Sequence, residues 1–187
     1  MLFRSDFLLV PGVPLDTLDF TSGRMNLGSK MVIDAQSHAR PVGSSGGSAT
    51  AAMPAAALLT ELPDPRTFDA RILDWRLAWG GMLVVQVRGE GHSVVEALIR
   101  RPEYANVKLV ATVSEDVPLD DDDLLLWGVF TRFDCARDVI PARTETRGAW
   151  TVCRGPLGID ATFKSGYPDP VENLPEVIQR VDGWWGA

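Results

Sequence analysis

Four consecutive carboxylates, Asp120 to Asp123, form the densest run of ionisable side chains in the sequence. Carboxylates are hard oxygen ligands that suit Mg²⁺ or Ca²⁺. Consecutive residues at a helix start point in different directions, however, and no glycine stands where an EF-hand loop needs its sharp turn. The run therefore predicts a helix N-cap with a solvated acidic first turn, in preference to a cation site.

The two histidines and two cysteines provide no complete catalytic or metal-binding set. His92 follows a predicted strand at the sheet edge where α/β proteins place ligands, but a surface histidine in a Gly-rich turn is the favoured interpretation. With so few soft partners, the histidines predict no zinc site. Arg137 could depress the pKa of the Cys135 thiol, yet a reduced structural thiol is favoured. We predict no catalytic, cofactor-binding or metal-binding residue in this chain.

Hydrophobic patterning places these residues on an α/β framework. The predicted elements are strands at 81–88 and 107–114 and helices at 93–101, 121–133 and 175–185. Ser93 and Glu96 have the spacing of a capping box at the start of the first helix. The order strand, helix, strand predicts a right-handed βαβ unit. The expected fold is a single α/β sandwich domain with a mixed sheet.

The composition changes sharply within the N-terminal third of the chain. Residues 37–57 are rich in Gly, Ser and Ala, which predicts a flexible linker. The expected organisation is an N-terminal arm over residues 1–36, the tether, and the α/β domain over residues 58–187. The strand of this arm is expected either to pair within the chain or to join a partner's sheet by β-augmentation.

Five of the six tryptophans are divided between two predicted environments. Trp75, Trp79 and Trp127 lie in apolar segments and are expected to pack in the core. Trp184 and Trp185 end the last predicted helix. They either dock on a neighbouring chain, where tryptophan is enriched at hot spots, or pack within their own chain.

Overall charge excludes one class of partner. The 18 basic and 25 acidic residues give a formal net charge of −7, whereas nucleic-acid binding needs a basic surface to displace counterions. No segment reaches the ~20 apolar residues that span a bilayer, and residues 1–10 lack the features of a signal peptide. We therefore expect a cytoplasmic protein with reduced thiols, no membrane and no nucleic acid.

Two segments of the sequence echo each other. Residues 28–36 read GSKMVIDAQ and residues 154–162 read RGPLGIDAT. Superposing Ile33 on Ile159 aligns the shared Ile-Asp-Ala triplet. On spacing alone, either chance or an internal duplication explains the match.

Three stretches together resemble the C-terminal domain of the UbiD family, the decarboxylases that use prenylated flavin mononucleotide. They are residues 14–36, 110–139 and 155–162. The family's helix after an Asp run carries a Trp-Ala-x-x-Thr-Arg type pattern, and the sequence matches it with Trp127, Thr131 and Arg132.

The family's domain ends in a Gly-Ser-Lys-Met-Gly-Ile-Asp-Ala-Thr type pattern. Residues 28–36 match this pattern well, and residues 157–162 match it again more weakly. The resemblance therefore favours duplication as the origin of the echo. It covers only the C-terminal domain, since the family's flavin-binding domain with its catalytic Arg and paired Glu has no counterpart here.

The resemblance implies a non-catalytic small subunit of a heteromeric UbiD-like aromatic acid decarboxylase or carboxylase. Prenylated FMN, with a divalent metal and K⁺, is then expected on a large catalytic partner subunit, with none bound by this chain alone. The residues expected at the interface or in organising the domain are Lys30, Asp34, Thr131, Arg132, Asp160, Trp184 and Trp185.

Two other functions remain open at this level. A stand-alone ligand-binding or regulatory module would keep the fold without the enzyme, and an autonomous enzyme would bind flavin itself. The second alternative lacks support in the residues, because decarboxylation needs an electron sink and a positioned acid or base.

Overall fold

A computed structural model describes residues 7–14, 21–33, 62–148, 150–167 and 173–186. The predicted tether at 37–57 and the candidate residue Asp34 lie outside these ranges. No helix within them is long and apolar enough to cross a bilayer.

The described residues form strands and helices in the order expected of an α/β protein. The strands are β1 (Phe7–Pro14), β2 (Leu27–Ile33), β3 (Ile72–Ala78), β4 (Met82–Val87), β5 (Leu109–Val113), β6 (Val139–Arg147) and β7 (Trp150–Ala161). The helices are α1 (His92–Ile99), α2 (Asp122–Phe130) and α3 (Pro175–Trp185).

A five-stranded mixed sheet in the order β3-β4-β5-β7-β6 forms the centre of the domain. β4 pairs parallel with β5 and β5 pairs parallel with β7, whereas both edge strands pair antiparallel. The inner strands are almost continuously apolar because both faces of the sheet are covered. The α/β fold with a mixed sheet is confirmed.

Each face of the sheet carries its own hydrophobic core. The apolar stripe of α1, which includes Val94 and Leu98, packs on one face. α2 buries Leu125 and Val129 against the other. Both predicted strands and all three predicted helices therefore exist, within a few residues of their expected ends.

The two N-terminal caps differ from each other. Asp121 caps α2 as its acidic run predicts, since Oδ1 accepts from the backbone N–H groups of Asp123 and Leu124 at 3.0 Å each. The capping box at α1 was wrong, because the cap residue is Gly91 and makes no side-chain cap bond. Ser93 Oγ instead donates to Glu90 Oε2 at 3.1 Å.

In both the β1–β2 and the β6–β7 hairpin, the first residue of the first strand pairs with the isoleucine of the Ile-Asp-Ala triplet. Phe7 pairs with Ile33, and Val139 pairs with Ile159. The alignment of Ile33 with Ile159 in the sequence thus coincides with equivalent positions in two antiparallel hairpins. This correspondence fits the duplication that the echo suggests.

The β1–β2 hairpin forms a separate two-stranded sheet that lies against the main domain. Met31 packs beside the core under α2. The carbonyl oxygen of Thr21, between the two strands, accepts from Arg137 Nη2 and from the Tyr167 hydroxyl, both at 3.2 Å. The arm is therefore held at the end of the sheet where the candidate site lies.

Candidate functional site

A cluster of ionised side chains lies at the carboxyl end of β7, beside the start of β6. Its members, here called the edge cluster, are Arg137, Asp138, Asp160 and Lys164. The two carboxylates are almost fully buried, with Asp138 at 2% and Asp160 at 3% exposure. Buried carboxylates at this edge need cations and hydrogen bonds to offset the lost hydration.

Asp160 is held in place through one of its two oxygens. Oδ1 accepts from the backbone N–H of Thr162 at 3.1 Å, from its hydroxyl at 2.6 Å, and from Thr112 Oγ1 at 3.2 Å. Oδ2 lies 3.4 Å from Lys164 Nζ. The carboxylate is thus fixed in orientation by two threonines and balanced by one ammonium.

Asp138 receives a bidentate contact from its neighbour in the chain. Arg137 Nε donates to Oδ1 at 2.8 Å and Arg137 Nη2 donates to Oδ2 at 2.7 Å. The backbone N–H of Asp134 donates to Oδ2 at 2.8 Å, and Lys164 Nζ lies 3.7 Å away. Both oxygens of this buried carboxylate accept charge-assisted or backbone hydrogen bonds, so Asp138 suits a structural role better than a catalytic one.

The titration behaviour of the cluster follows from its burial. Desolvation lowers the pKa of Lys164, and the two facing carboxylates only partly oppose that shift. Hydrogen bonding to Asp138 raises the pKa of Arg137 above its usual range. Burial also raises the pKa of Tyr167, so its hydroxyl stays neutral and donates to the Thr21 and Arg132 carbonyls at 3.2 Å each.

Arg132 lies beside the edge cluster without joining its ion pairs. Its guanidinium makes a bidentate contact with Asp116 at 2.8 and 2.7 Å and lies 5.7 Å from the centre of the Phe163 ring. Hydrogen bonding to Arg132 lowers the pKa of Asp116. Arg132 therefore fixes the turn after β5 to the end of α2.

The described residues do not fit a flavin phosphate. The N-terminus of α2, the natural anion site of a helix, carries the four carboxylates of the Asp120–Asp123 run, which repel a phosphate. A cavity of about 200 Å³ lies between the β2 hairpin and α2, lined by Thr21, Ser29, Met31, Phe130, Phe133 and Cys135. Pockets for larger ligands hold roughly 300–1,000 Å³, so this cavity does not accommodate a flavin.

Three potential metal ligands approach one another at the same end of the sheet. One donor atom from each of Glu90, His92 and Asp160 lies within 4.8 Å of the other two. Glu90 is exposed, His92 is half-buried and Asp160 is buried. The set combines one imidazole with two carboxylates from two separated segments.

The structure brings together only part of the predicted residue set. Arg132 and Asp160 meet through Lys164, whose Nζ donates to both backbone carbonyl oxygens. Lys30 is exposed on β2. Thr131 is exposed at the end of α2 and donates to the Trp127 carbonyl at 2.6 Å.

The tryptophans correct part of the sequence interpretation. Trp75 packs against the core, as expected. The expected burial of Trp79 and Trp127 was wrong, because they are 48% and 60% exposed. Trp184 and Trp185 are 76% and 85% exposed, so intramolecular packing, one of their two predicted environments, does not occur among the described residues.

Both cysteines are free thiols. Burial raises the pKa of Cys135, so the proposed lowering by Arg137 does not occur, and the structural interpretation of this thiol holds.

Sequence reasoning missed Lys164, Asp138 and Tyr167 as members of one network. The one available signal was the echo, which places Asp160 at the end of a hairpin strand, with Lys164 following four residues later. The pairing of Asp160 N–H with the Asp138 carbonyl at 2.9 Å arises from the antiparallel contact of β6 with β7.

No protein-family model matches the chain. Two uncharacterised archaeal proteins are similar in sequence. One from Archaeoglobus fulgidus is 32% identical over 145 residues, covering 66% of this chain and 30% of that protein. One from Aeropyrum pernix is 28% identical over 146 residues, covering 67% of this chain and 30% of that protein. The chain thus spans about 30% of the length of these relatives.

Solved structures similar to the chain include UbiD-class enzymes. HmfF from Pelotomaculum thermopropionicum has a TM-score of 0.44 at 20% identity, covering 67% of this chain and 28% of that one. Vanillic acid decarboxylase from Sedimentibacter hydroxybenzoicus has a TM-score of 0.42 at 17% identity, covering 66% and 31%. 3,4-Dihydroxybenzoic acid decarboxylase from Enterobacter cloacae has a TM-score of 0.35 at 18% identity, covering 55% and 26%.

Proposed function

We propose that this chain is a non-catalytic subunit of a heteromeric UbiD-like decarboxylase or carboxylase acting on aromatic acids. In this proposal it packs on a large subunit that carries prenylated FMN with its divalent metal and K⁺. The motif resemblance supplies the enzyme class. The observation that carries the subunit role is the exposed apolar surface of two helices.

The first surface is the outer side of α2, here called the α2 face. Its members are exposed by 37 to 60%, and they are Leu124, Leu126, Trp127 and Phe130. An apolar helix face of this kind marks an interaction site, since monomers rarely expose contiguous apolar patches. The acidic turn that precedes it would form part of the polar rim around such an interface.

The second surface is α3, in which no residue is buried. The helix nevertheless carries large apolar side chains, and Ile178 is 47% exposed while Trp185 is 85% exposed. An isolated helix of 11 residues is marginal in water and gains most of its stability from packing. A partner that covers α3 provides that packing, and the two terminal indoles are the expected anchors.

The edge cluster supports an organising role within this proposal. It ties β6, β7 and the Thr21 turn into one unit through Arg137 and Tyr167. Asp138 accepts from Arg137 and a backbone N–H group, and Asp160 Oδ1 accepts from two threonines, which suits positioning of the domain better than proton transfer. The chemistry of the complex is assigned to the partner subunit.

The experiment is co-expression of the tagged chain with its neighbouring reading frames, followed by co-purification of any large UbiD-like subunit among their products. The expected result is a complex with decarboxylase activity that the large subunit alone lacks or shows weakly. The W184A/W185A double variant should weaken the complex at least about 30-fold. The W79A variant is the matched control, because it removes an exposed indole from the β3–β4 turn and should leave the complex unchanged.

A stand-alone ligand-binding module is the second candidate, and the cavity beside Cys135 favours it. A volume of about 200 Å³ has room for a ring the size of phenol, and the lining combines polar residues such as Thr21 and Ser29 with the aromatic Phe130 and Phe133. A monomeric chain that binds phenol in this cavity and ignores the large subunit would support this function over the first.

A further inference from the structure

We propose that Glu90, His92 and Asp160 form a binding site for a divalent first-row transition ion. This inference goes beyond the proposed function and does not depend on a partner subunit. It also departs from the expectation of no metal site, which considered each histidine without the carboxylates that the fold brings to it.

The donor set fits this class of ion. Imidazole nitrogen suits zinc, cobalt and nickel, whereas sites for Mg²⁺ and Ca²⁺ use oxygen ligands alone. Donor atoms of a tetrahedral site with bonds of about 2.1 Å lie about 3.4 Å apart. In the structure the donor atoms of the three residues are up to 4.8 Å apart. Rotation of the Glu90 and His92 side chains, which both have solvent-exposed surface, would shorten these distances to the value for a bound ion.

Gly91 makes the approach of the two loop ligands to Asp160 possible. A Cβ at this position would lie 2.7 Å from Thr162 Cγ2 and would also collide with the Thr112 hydroxyl. These two threonines are the ones that hold Asp160 Oδ1. Because Gly91 has no side chain, the backbone between Glu90 and His92 packs against Thr112 and Thr162, the two residues that orient Asp160.

Both carboxylates are oriented by hydrogen bonds from behind. Ser93 Oγ donates to Glu90 Oε2 at 3.1 Å, and Arg71 Nη1 donates to Ser93 Oγ at 2.9 Å. Asp160 is held by hydrogen bonds from Thr112 and Thr162 to its Oδ1. Supporting contacts of this type are a regular feature of protein metal sites, because they fix the direction of the ligand lone pairs.

The local charge also favours a cation. The carboxylates at and beside the site are those of Asp69, Glu90, Asp138 and Asp160. The facing cations are Arg71, which pairs with Asp69, together with Arg137 and Lys164. One negative charge remains for the ion to neutralise. Lys164 is the nearest opposing charge, at 3.4 Å from Asp160 Oδ2, and it limits the affinity without removing the excess.

The test is Zn²⁺ binding to the metal-free full chain by equilibrium dialysis, with Co²⁺ absorption as the second readout. The wild-type chain should bind one equivalent, and the Co²⁺ spectrum should lack thiolate charge-transfer bands. Removing a group that supports a ligand costs about 10–100-fold in affinity, so loss of a ligand in H92Q or E90Q should cost about 100-fold or more.

H38Q is the matched control, because the chain has only two histidines. It should bind Zn²⁺ like the wild type. Both ligand variants change side chains with solvent-exposed surface, and circular dichroism confirms their folding. Absence of a bound equivalent, unchanged affinity in H92Q, thiolate bands in the Co²⁺ spectrum, or loss of binding in H38Q would each overturn the assignment.

Discussion

Lys164 places its ammonium nitrogen 3.4 Å from Oδ2 of Asp160, a side chain that is only 4% exposed. The same nitrogen lies 3.7 Å from Asp138 Oδ2. One partly buried cation therefore faces two buried carboxylates at the junction of β6 and β7. Removing any one charged member would leave a buried charge without its partner and lower the free energy of unfolding.

Replacing Lys164 tests this expectation. K164M keeps a long aliphatic side chain and removes the charge, which leaves Asp160 without its facing cation. The free energy of unfolding should fall by about 3 kcal/mol, measured by urea denaturation. K30M is the control, because Lys30 is exposed and its loss should change stability by less than about 0.5 kcal/mol. Equal effects of the two variants would contradict the role of the cluster.

Tyr104 should make the stability of the domain fall in alkali. Burial raises its pKa to about 12 from the ordinary 10.0, and its hydroxyl donates to the Pro63 carbonyl at 2.8 Å. The folded state keeps the proton that the unfolded state releases. The stabilisation is therefore complete below pH 10 and is lost as the pH rises towards 12.

The measurement is the free energy of unfolding of the wild type and of Y104F between pH 9 and pH 12. The wild type should lose up to about 1.4 kcal/mol per pH unit relative to Y104F above pH 10. Other alkaline groups contribute to both proteins and cancel in the comparison. Parallel curves would show that Tyr104 is not protected in the folded state.

Gly91 should not tolerate a side chain. G91A places a Cβ against Thr112 and 2.7 Å from Thr162 Cγ2, so the start of α1 must move away from the sheet. Overpacking of this kind costs about 1–3 kcal/mol. G183A in α3 is the control, since nothing lies within 4 Å of the added carbon and alanine favours a helix by up to about 1 kcal/mol. Thermal unfolding of G91A should shift to lower temperature, whereas G183A should leave it nearly unchanged because α3 buries no residue.

Asp121 should stabilise α2 more than Asp120 does, because its carboxylate caps the helix. D121A removes the acceptor for two backbone N–H groups and should cost about 1 kcal/mol. D120A removes an exposed carboxylate of equal charge and should change stability by less than about 0.5 kcal/mol. A larger effect of D120A would show that the run acts through charge, as a cation site would.

Local patterning predicts much of this fold. The apolar run of β4 and the acidic start of α2 both identify their elements, because these signals reside in consecutive residues. β3 was missed, since only its two terminal residues are buried and Asp74 interrupts it. Trp79 was misplaced because it occupies a left-handed turn, with φ of 46°, between β3 and β4.

The candidate site was much harder to predict. Asp138 meets Asp160 because β6 and β7 pair antiparallel with Val139 opposite Ile159, a register that neither segment shows by itself. Glu90 and His92 approach Asp160 only because the turn after β4 reaches across β5. Such contacts depend on strand order and register, which no local pattern contains. Asp160 was singled out through the IDA echo, while its partners carried no comparable signal.

The mass of the intact complex after co-expression with the large UbiD-like subunit tests the central claim most directly. The expected species contains both chains in a fixed ratio and loses this chain when Trp184 and Trp185 are both replaced by alanine. The W79A control should form a complex with the same subunit ratio as the wild type. A chain that stays monomeric beside an inert large subunit would contradict the proposed function.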